Sequence, residues 1–429
     1  MPFPPDFRWG AATASYQIEG AARQDGRGEC IWTRFSRLPG KVFGGHTGDV
    51  ACDHYHRFAD DIKLMGELGL NAYRFSVAWP RVLPQGTGGT NDLGLDFYDR
   101  LVDGLLAAGI QPYVTLYHWD LPQALQNRGG WLNRGVVGWF SDYTDLITQR
   151  LGDRVKDWIT LNEPQVVSML GYRDGIHAPG MQDPFAAYRA AHHLMLAHGA
   201  AVPIIRNNVH NARAGITLDL THVMAFENGH EEEVQQVDGL RNRWFLDPVT
   251  QGSYPHDSVE HLGILLRDMD PAEASTMNPD IDFLGVNYYS RHVVGKNRDP
   301  RPRTEMDWEV YPEGLYLTLK RLHDDYNIPR LYVTENGAAF TDPAPVHARI
   351  VDTARVEYLQ DHFEQAERAI DEGVPLVGYF VWSLLDNFEW AEGYTKRFGI
   401  IAVDYASLRR TIKDSGYWYR DFIRDQQGE

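Results

Sequence analysis

Two short stretches place a glutamate where an apolar strand ends. One is T-L-N-E-P, Thr160 to Pro164, after D-W-I; the other is V-T-E-N-G, Val333 to Gly337, after R-L-Y. A carboxylate at the end of a core strand is costly to desolvate unless partners or a task justify it. Asn and Pro are ordinary turn formers, so T-L-N-E-P taken alone reads equally well as a surface turn. The repeat of the same device favours chemistry. Two carboxylates that face each other can protonate a leaving oxygen with one group and attack, or activate water, with the other. Hydrolysis of a glycosidic bond requires that pairing.

Facing carboxylates need a scaffold that points strand ends at one another. Eight strand-like apolar runs occur, beginning at Phe7, Asn71, Gln111, Asp157, Ala212, Ile281, Arg330 and Leu376. Helical patterns lie between them. Tyr98, Leu101, Val102, Leu105 and Leu106 recur at three- and four-residue spacing and run into the stop A-A-G-I-Q-P. Similar patterns span 54–68, 136–151, 185–207, 314–326 and 353–372. Eightfold strand–helix alternation predicts an α/β fold, a single (β/α)8 TIM barrel, with its active site at the C-terminal ends of the strands. A doubly wound sheet would want a Gly-rich turn after its first strand, and none is present. No linker, repeat or low-complexity segment divides the chain, so residues 1–429 read as one catalytic domain. Glu163 ends the fourth run and Glu335 the seventh, across such a barrel from one another.

The composition suits this reading. Hydrophobic residues are 43% and charged residues 23%, and 41 basic against 59 acidic side chains give a net charge of −18. That balance argues against nucleic acid and anionic membranes as partners. Aromatics reach 12%, with 12 Trp and 22 Tyr, and flat rings suit the C–H faces of sugars. Cys30 and Cys52 make no disulfide framework, and free thiols in a reducing cytoplasm are expected, although the two could pair. No signal peptide is evident at the start, and no apolar run approaches the roughly 18 residues that span a bilayer. His54 and His56 have a metal-like spacing without a third ligand and read as structural, as do His192 and His193. Glu231, Glu232 and Glu233 read as a solvated helix start.

Taken together, the motifs resemble family 1 glycoside hydrolases, the retaining β-glucosidases and β-galactosidases. The resemblance rests on both glutamate motifs and on F-R-W-G-A-A-T-A-S-Y-Q-I-E-G, Y-R-F-S-V-A-W-P-R, Y-H-W-D-L-P, V-N-Y-Y, W-S-L-L-D-N-F-E-W and G-Y-T-K-R-F-G-I, in that order along the whole chain. It implies Glu163 as acid/base and Glu335 as nucleophile. Gln17, His118, Asn162, Glu389 and Trp390 would bind sugar hydroxyls, and Trp382 would lie under the ring. Arg74, Asn287 and Tyr289 would surround the nucleophile, with Arg74 and Tyr289 lowering its pKa. The implied reaction is exo-acting and retaining, on β-glucosides and cello-oligosaccharides, with fuco and galacto activity, glucose as product or acceptor, and no metal or organic cofactor.

Alternatives stay open for single residues. His118 could be a core histidine, Gln17 a capping amide, Trp382 and Trp390 core aromatics, Glu389 a solvated charge and Arg74 a structural ion pair. At the level of function, the rivals are a 6-phospho-β-glycosidase, an endo-acting cellulase and a sugar-binding protein without catalysis. A carboxylate at Glu389, where the sugar's 6-oxygen would lie, argues against the first. One position departs from the family. After N-E-P many members carry a tryptophan against which the leaving sugar stacks, whereas this chain has Gln165. A loosely defined acceptor site is therefore expected, unless Tyr172 or Trp308 fills the space.

Overall fold

The apolar stripe around Tyr98 becomes the buried face of helix Asp92–Ala107, which hides Leu95, Tyr98, Leu101, Val102 and Leu105, while Leu106 stays exposed. Gly109, at φ +75°, closes the helix as the Ile110 amide donates to the Leu105 carbonyl, and the next strand starts at Gln111. Helices His54–Glu67, Val136–Leu151, Pro184–Asn208, Glu313–Tyr326 and Thr353–Asp371 follow the other predicted patterns within two residues at each end.

The computed structural model describes residues 3–347 and 349–428. Its central sheet is a closed parallel barrel of eight strands. In chain order they are β1 (Arg8–Ala12), β2 (Ala72–Ser76), β3 (Gln111–Tyr117), β4 (Asp157–Asn162), β5 (Arg213–Asp219), β6 (Phe283–Asn287), β7 (Leu331–Asn336) and β8 (Leu376–Trp382). Strand β8 pairs with β1 from Arg8↔Gly378 to Ala12↔Trp382, which closes the ring. Every predicted run supplied one strand. A C-terminal hairpin (Ile401–Asp404 with Arg409–Ile412), a short ribbon (Val223–Ala225 with His292–Val294) and helix Asp414–Gln427 were not foreseen.

The barrel interior is layered. Low in the barrel, rings from four strands interlock: Tyr113 meets Phe380 at 4.9 Å and Tyr332 at 5.4 Å, and Phe283 meets Tyr332 at 5.1 Å. Gly10 leaves room for the Phe380 ring, which a Cβ there would meet at 2.4 Å. Above this plug sits a polar layer. Arg74 Nε donates to Thr115 Oγ1 at 3.2 Å, Thr217 Oγ1 lies 3.2 Å from Thr334 Oγ1, and Thr334 Oγ1 donates to Asn287 Oδ1 at 2.8 Å. The plug closes one end of the barrel with apolar mass, so the polar layer and the carboxylates above it look out through the other end.

Candidate active site

Both glutamate-bearing strands break register just before their carboxylates. Between β4 and β5 the pairing runs from Ile159↔Gly215 to Asn162↔Thr217, three residues against two. Between β6 and β7 it runs from Val286↔Val333 to Asn287↔Glu335, one residue against two. Such a bulge re-aims side chains. Thr160 points outward, its hydroxyl 2.7 Å from His198 Nδ1 on the surrounding helix, and strict alternation would send Asn162 outward too. Instead the Asn162 amide enters the barrel. On β7, Thr334 and Glu335 both reach inward, although they are neighbours in sequence.

The answer to why a core strand ends on Glu163 is now local. Its amide donates the last ladder bond, to the Thr217 carbonyl at 2.9 Å, and its backbone then turns left-handed (φ +49°) before Pro164 starts a short helix. A non-glycine residue held in that conformation stores strain of order 1–3 kcal/mol, a common feature of functional sites. The turn leaves the side chain facing the cavity.

Glu335 is clamped. Arg74 Nη1 donates to Oε1 at 2.6 Å and the Tyr289 hydroxyl to Oε2 at 2.6 Å. Glu163 has one side-chain partner, Asn287 Nδ2, at 2.6 Å from Oε1. Burial pushes the Glu163 carboxyl well above the ordinary range, and the charges of Glu335 and Asp219 push it further. Burial also raises Glu335, and Arg74 and Tyr289 only partly offset it. Arg74 and Tyr289 act on Glu335 in the expected direction, but desolvation of a fully enclosed carboxylate outweighs them. The asymmetry survives: the pair's proton belongs on Glu163, since two donors stabilise charge on Glu335 and one does so on Glu163.

Asn162 is held from three sides. Arg74 Nη2 and Asn287 Nδ2 both donate to its Oδ1, so its Nδ2 faces His118 Nε2 at 3.2 Å. Burial, with Arg74 nearby, pushes His118 well below its usual pKa, so the ring is neutral, and its Nδ1 has no protein partner. Gln17 donates through Nε2 to Asn387 Oδ1, to the Phe388 carbonyl and to Glu389 Oε2, leaving Oε1 without a partner. Trp382 lies nearly parallel to His118 (22°), and Trp390 is braced by Trp119 at 4.5 Å and Trp32 at 4.6 Å. His118, Tyr289, Trp382, Glu389 and Trp390 join Glu163 and Glu335 around a cavity of about 690 Å³. Gln17, Arg74, Asn162 and Asn287 are buried beside these groups.

Glu389 needs a correction. Burial pushes its carboxyl up to about 8, with Glu335 and Glu392 adding to the rise. At neutral pH it is largely a neutral acid, so charge repulsion is not what excludes a phosphate. The charged groups that act on it are acids, and no cation among the described residues offsets them.

Gln165 does line the cavity, but its amide is committed: Nε2 donates to the Asp219 carbonyl, and Oε1 has no partner. Of the two aromatics considered as substitutes, Tyr172 is buried away from the cavity and reaches towards Gln126, whereas Trp308 lines it, 5.0 Å from Tyr289. The histidine pairs are occupied structurally: His54 binds Asp61, His56 binds Asp53, His192 binds Tyr254 and Glu273, and His193 binds the Trp131 carbonyl. Cys30 and Cys52 are free and buried. No described helix is long and apolar enough to cross a membrane.

Among the cavity residues that the sequence reading did not assign to the site are Trp119, His177, Asp219 and Arg241. Asp219 ends β5, so the strand-end argument used for the glutamates applied to it equally. Trp119 adjoins His118. Nothing in the sequence singles out His177 or Arg241.

Known proteins share this chain's sequence and fold. The family model for glycosyl hydrolase family 1 matches residues 1–428. The chain is 49% identical to β-glucosidase A of Thermotoga maritima, over 99% of this chain and 98% of that protein. It is 44% identical to a bifunctional β-D-glucosidase/β-D-fucosidase of Bifidobacterium breve, over 99% of each. The solved structure of a Thermotoga maritima β-glucosidase in complex with glucoimidazole superposes with a TM-score of 0.96 at 49% identity, covering 99% of both chains. A barrel with glutamates at the ends of β4 and β7, matched along its whole length by these enzymes, leaves one assignment: the chain belongs to glycosyl hydrolase family 1.

Proposed function

We propose that this hydrolase is a retaining, exo-acting β-glucosidase in which Glu163 is the acid/base and Glu335 the nucleophile. The observation that carries the roles is the unequal clamping of the two carboxylates: Arg74 and Tyr289 each hold one oxygen of Glu335, and Glu163 has only Asn287. In the first step Glu335 attacks the anomeric carbon while Glu163 gives its proton to the departing glycosidic oxygen. The C–O bond breaks and a glycosyl ester forms. Glu335 then carries no charge, so the repulsion that raised Glu163 is gone and its pKa falls. Glu163 now takes a proton from water, whose oxygen attacks the same carbon and releases the ester. Two inversions give net retention.

Gln17, His118, Asn162, Glu389 and Trp390 bind the hydroxyls of the terminal sugar in this reading, over Trp382, and the whole chain serves as one catalytic unit. The substrates are β-glucosides and cello-oligosaccharides in the cytoplasm. Activity on β-fucosides follows the named activity of the Bifidobacterium relative, and β-galactosides are turned over as well. With Gln165 in place of a stacking ring, glucose and other sugars accept the glycosyl group at high concentration.

A panel of nitrophenyl glycosides differing in sugar, anomer and 6-phosphorylation tests the reading. Turnover of β-gluco and β-fuco substrates supports it. Turnover of 6-phosphorylated substrates alone would replace it with the phospho-glycosidase alternative.

A further inference from the structure

The cavity extends outward from the two glutamates, and two charged side chains in that outer part make no use of each other or of the protein. Asp219, at the end of β5, lines the cavity with a carboxylate that accepts no hydrogen bond and forms no ion pair within 4 Å among the described residues. Arg241, on the helical turn Gly239–Arg243, lines the same cavity and has no hydrogen-bond or ion-pair partner among them either. The other cavity arginines are engaged: Arg173 with Asp174, Arg291 with Glu309, Arg303 with Asp307. Asp219 and Arg241 are close enough to sense each other. Burial lifts the Asp219 carboxyl above the ordinary range and the Arg241 guanidinium partly offsets it.

The Asp219 main chain is fixed. Gln165 Nε2 donates to its carbonyl, and the next amide, Leu220, donates to Asn287 at 3.0 Å. A carboxylate accepts only and a guanidinium donates only. Set across one space without touching, they suit a molecule that donates on one side and accepts on the other. Neighbouring ring hydroxyls do both, and charge-assisted bonds of this kind are the strong ones. Beside the two charges, Val166, Met169, Leu170 and Leu240 give the cavity an apolar wall for a ring face.

Resting on the glucosidase reading above, we propose that Asp219 and Arg241 form a clamp for the hydroxyls of the leaving or accepting sugar, so that the enzyme selects sugar aglycones over apolar ones. Gln165 is a positioning residue in this clamp: it spends its amide on the Asp219 backbone and so sets where the carboxylate stands.

The test compares cellobiose with cyclohexyl β-glucoside in the wild type, D219A and R241A. Both substrates release an alkoxide of a six-membered ring. Cyclohexanol, without neighbouring hydroxyls to withdraw charge, is the poorer leaving group, so loss of the Glu163 proton would hurt the cyclohexyl glucoside at least as much and could not mimic a fall in the ratio. Only cellobiose offers hydroxyls to the clamp. Among the described residues neither side chain has a hydrogen-bond or ion-pair partner to lose, so folding is not at issue. The expected result is a fall of about tenfold in the ratio of kcat/KM for cellobiose to that for the cyclohexyl glucoside, in each variant. An unchanged or increased ratio in either variant overturns the clamp. A wild type that hydrolyses neither substrate would instead overturn the glucosidase reading on which it rests.

Discussion

The deep and outer parts of the cavity are built on opposite principles. In the deep part, Arg74, Asn162, Asn287 and Thr334 bond to one another and to the two glutamates, and Arg74 alone reaches Glu335, Asn162, Thr115 and the Thr334 carbonyl. Side chains there are set before any substrate arrives, which is what electrostatic stabilisation of a transition state demands. In the outer part, Asp219 and Arg241 wait without partners, and Gln165 Oε1 is unpaired. One region fixes a single ring at a single carbon. The other receives the group on the far side of the scissile bond and has slack to do so. Substitutions in the deep part should therefore hurt every substrate, and substitutions in the outer part should sort substrates by aglycone.

The largest effect belongs to Glu335. E335G should lower turnover by about 10⁴-fold or more on all glycosides, since a nucleophile has no substitute. It also leaves the buried Arg74 without its carboxylate, so the melting temperature should drop. Azide, an anion that fits beside Arg74, should attack from the vacated side and give an α-glycosyl azide. A β product would show that the roles are reversed.

E163A should be graded. General acid catalysis contributes about 10²–10⁴-fold, and most where the leaving group is poor. A dinitrophenyl glucoside should still form the glycosyl-enzyme readily and then release it slowly, with azide speeding release as the β-azide. Equal loss of the first step across leaving groups would remove the assignment.

How much of this was legible beforehand depends on the range of the interaction. Strand-end position picked out Glu163 and Glu335 because each sits in a motif that repeats the other. Asp219 obeys the same rule but has no matching partner motif, so it did not stand out. Arg241 lies in the excursion between β5 and β6, where only tertiary packing decides which side chain reaches the cavity. The bulges that turn Asn162 and Glu335 inward are also invisible in the sequence, since they arise from mismatched register with strands far away in the chain. The donors around Glu335 could be named, yet the weight of burial against them could not.

That balance can be measured. Glu163 is raised by burial first, then by the negative charges of Glu335 and Asp219, with Asn287 and Arg74 acting the other way. Replacing one raising charge should move it down. In E335Q, carbon-13 NMR of labelled glutamate should show Glu163 titrating at lower pH than in the wild type, though still above an exposed glutamate, because burial remains. In the active enzyme the acid form of Glu163 exists below its pKa and is lost above it, so the basic limb of kcat/KM reports the same group. An unmoved titration in E335Q would mean that the two carboxylates do not communicate, and the switch from acid to base would lose its cause.

The smallest effect, and the most selective, is expected at Gln165. Its amide supports the Asp219 backbone and offers no flat face, so Q165W should do two things at once. It adds a ring, and stacking of flat groups is worth about 1–3 kcal/mol. It also removes the donor that holds the Asp219 carbonyl and thereby loosens the carboxylate beside it. Aryl glucosides, which need only the ring, should gain in kcat/KM by about tenfold. Cellobiose should gain less or lose, because stacking is offset by a displaced carboxylate, and the mixture of transfer products at high glucose should narrow to fewer linkages. Rates limited by release of the glycosyl-enzyme should stay the same, since Glu335 and its donors are untouched. An unchanged linkage profile and product mixture, with activity intact, would show that Gln165 does not shape the acceptor site and that Trp308, already on the cavity wall, supplies the stacking face instead.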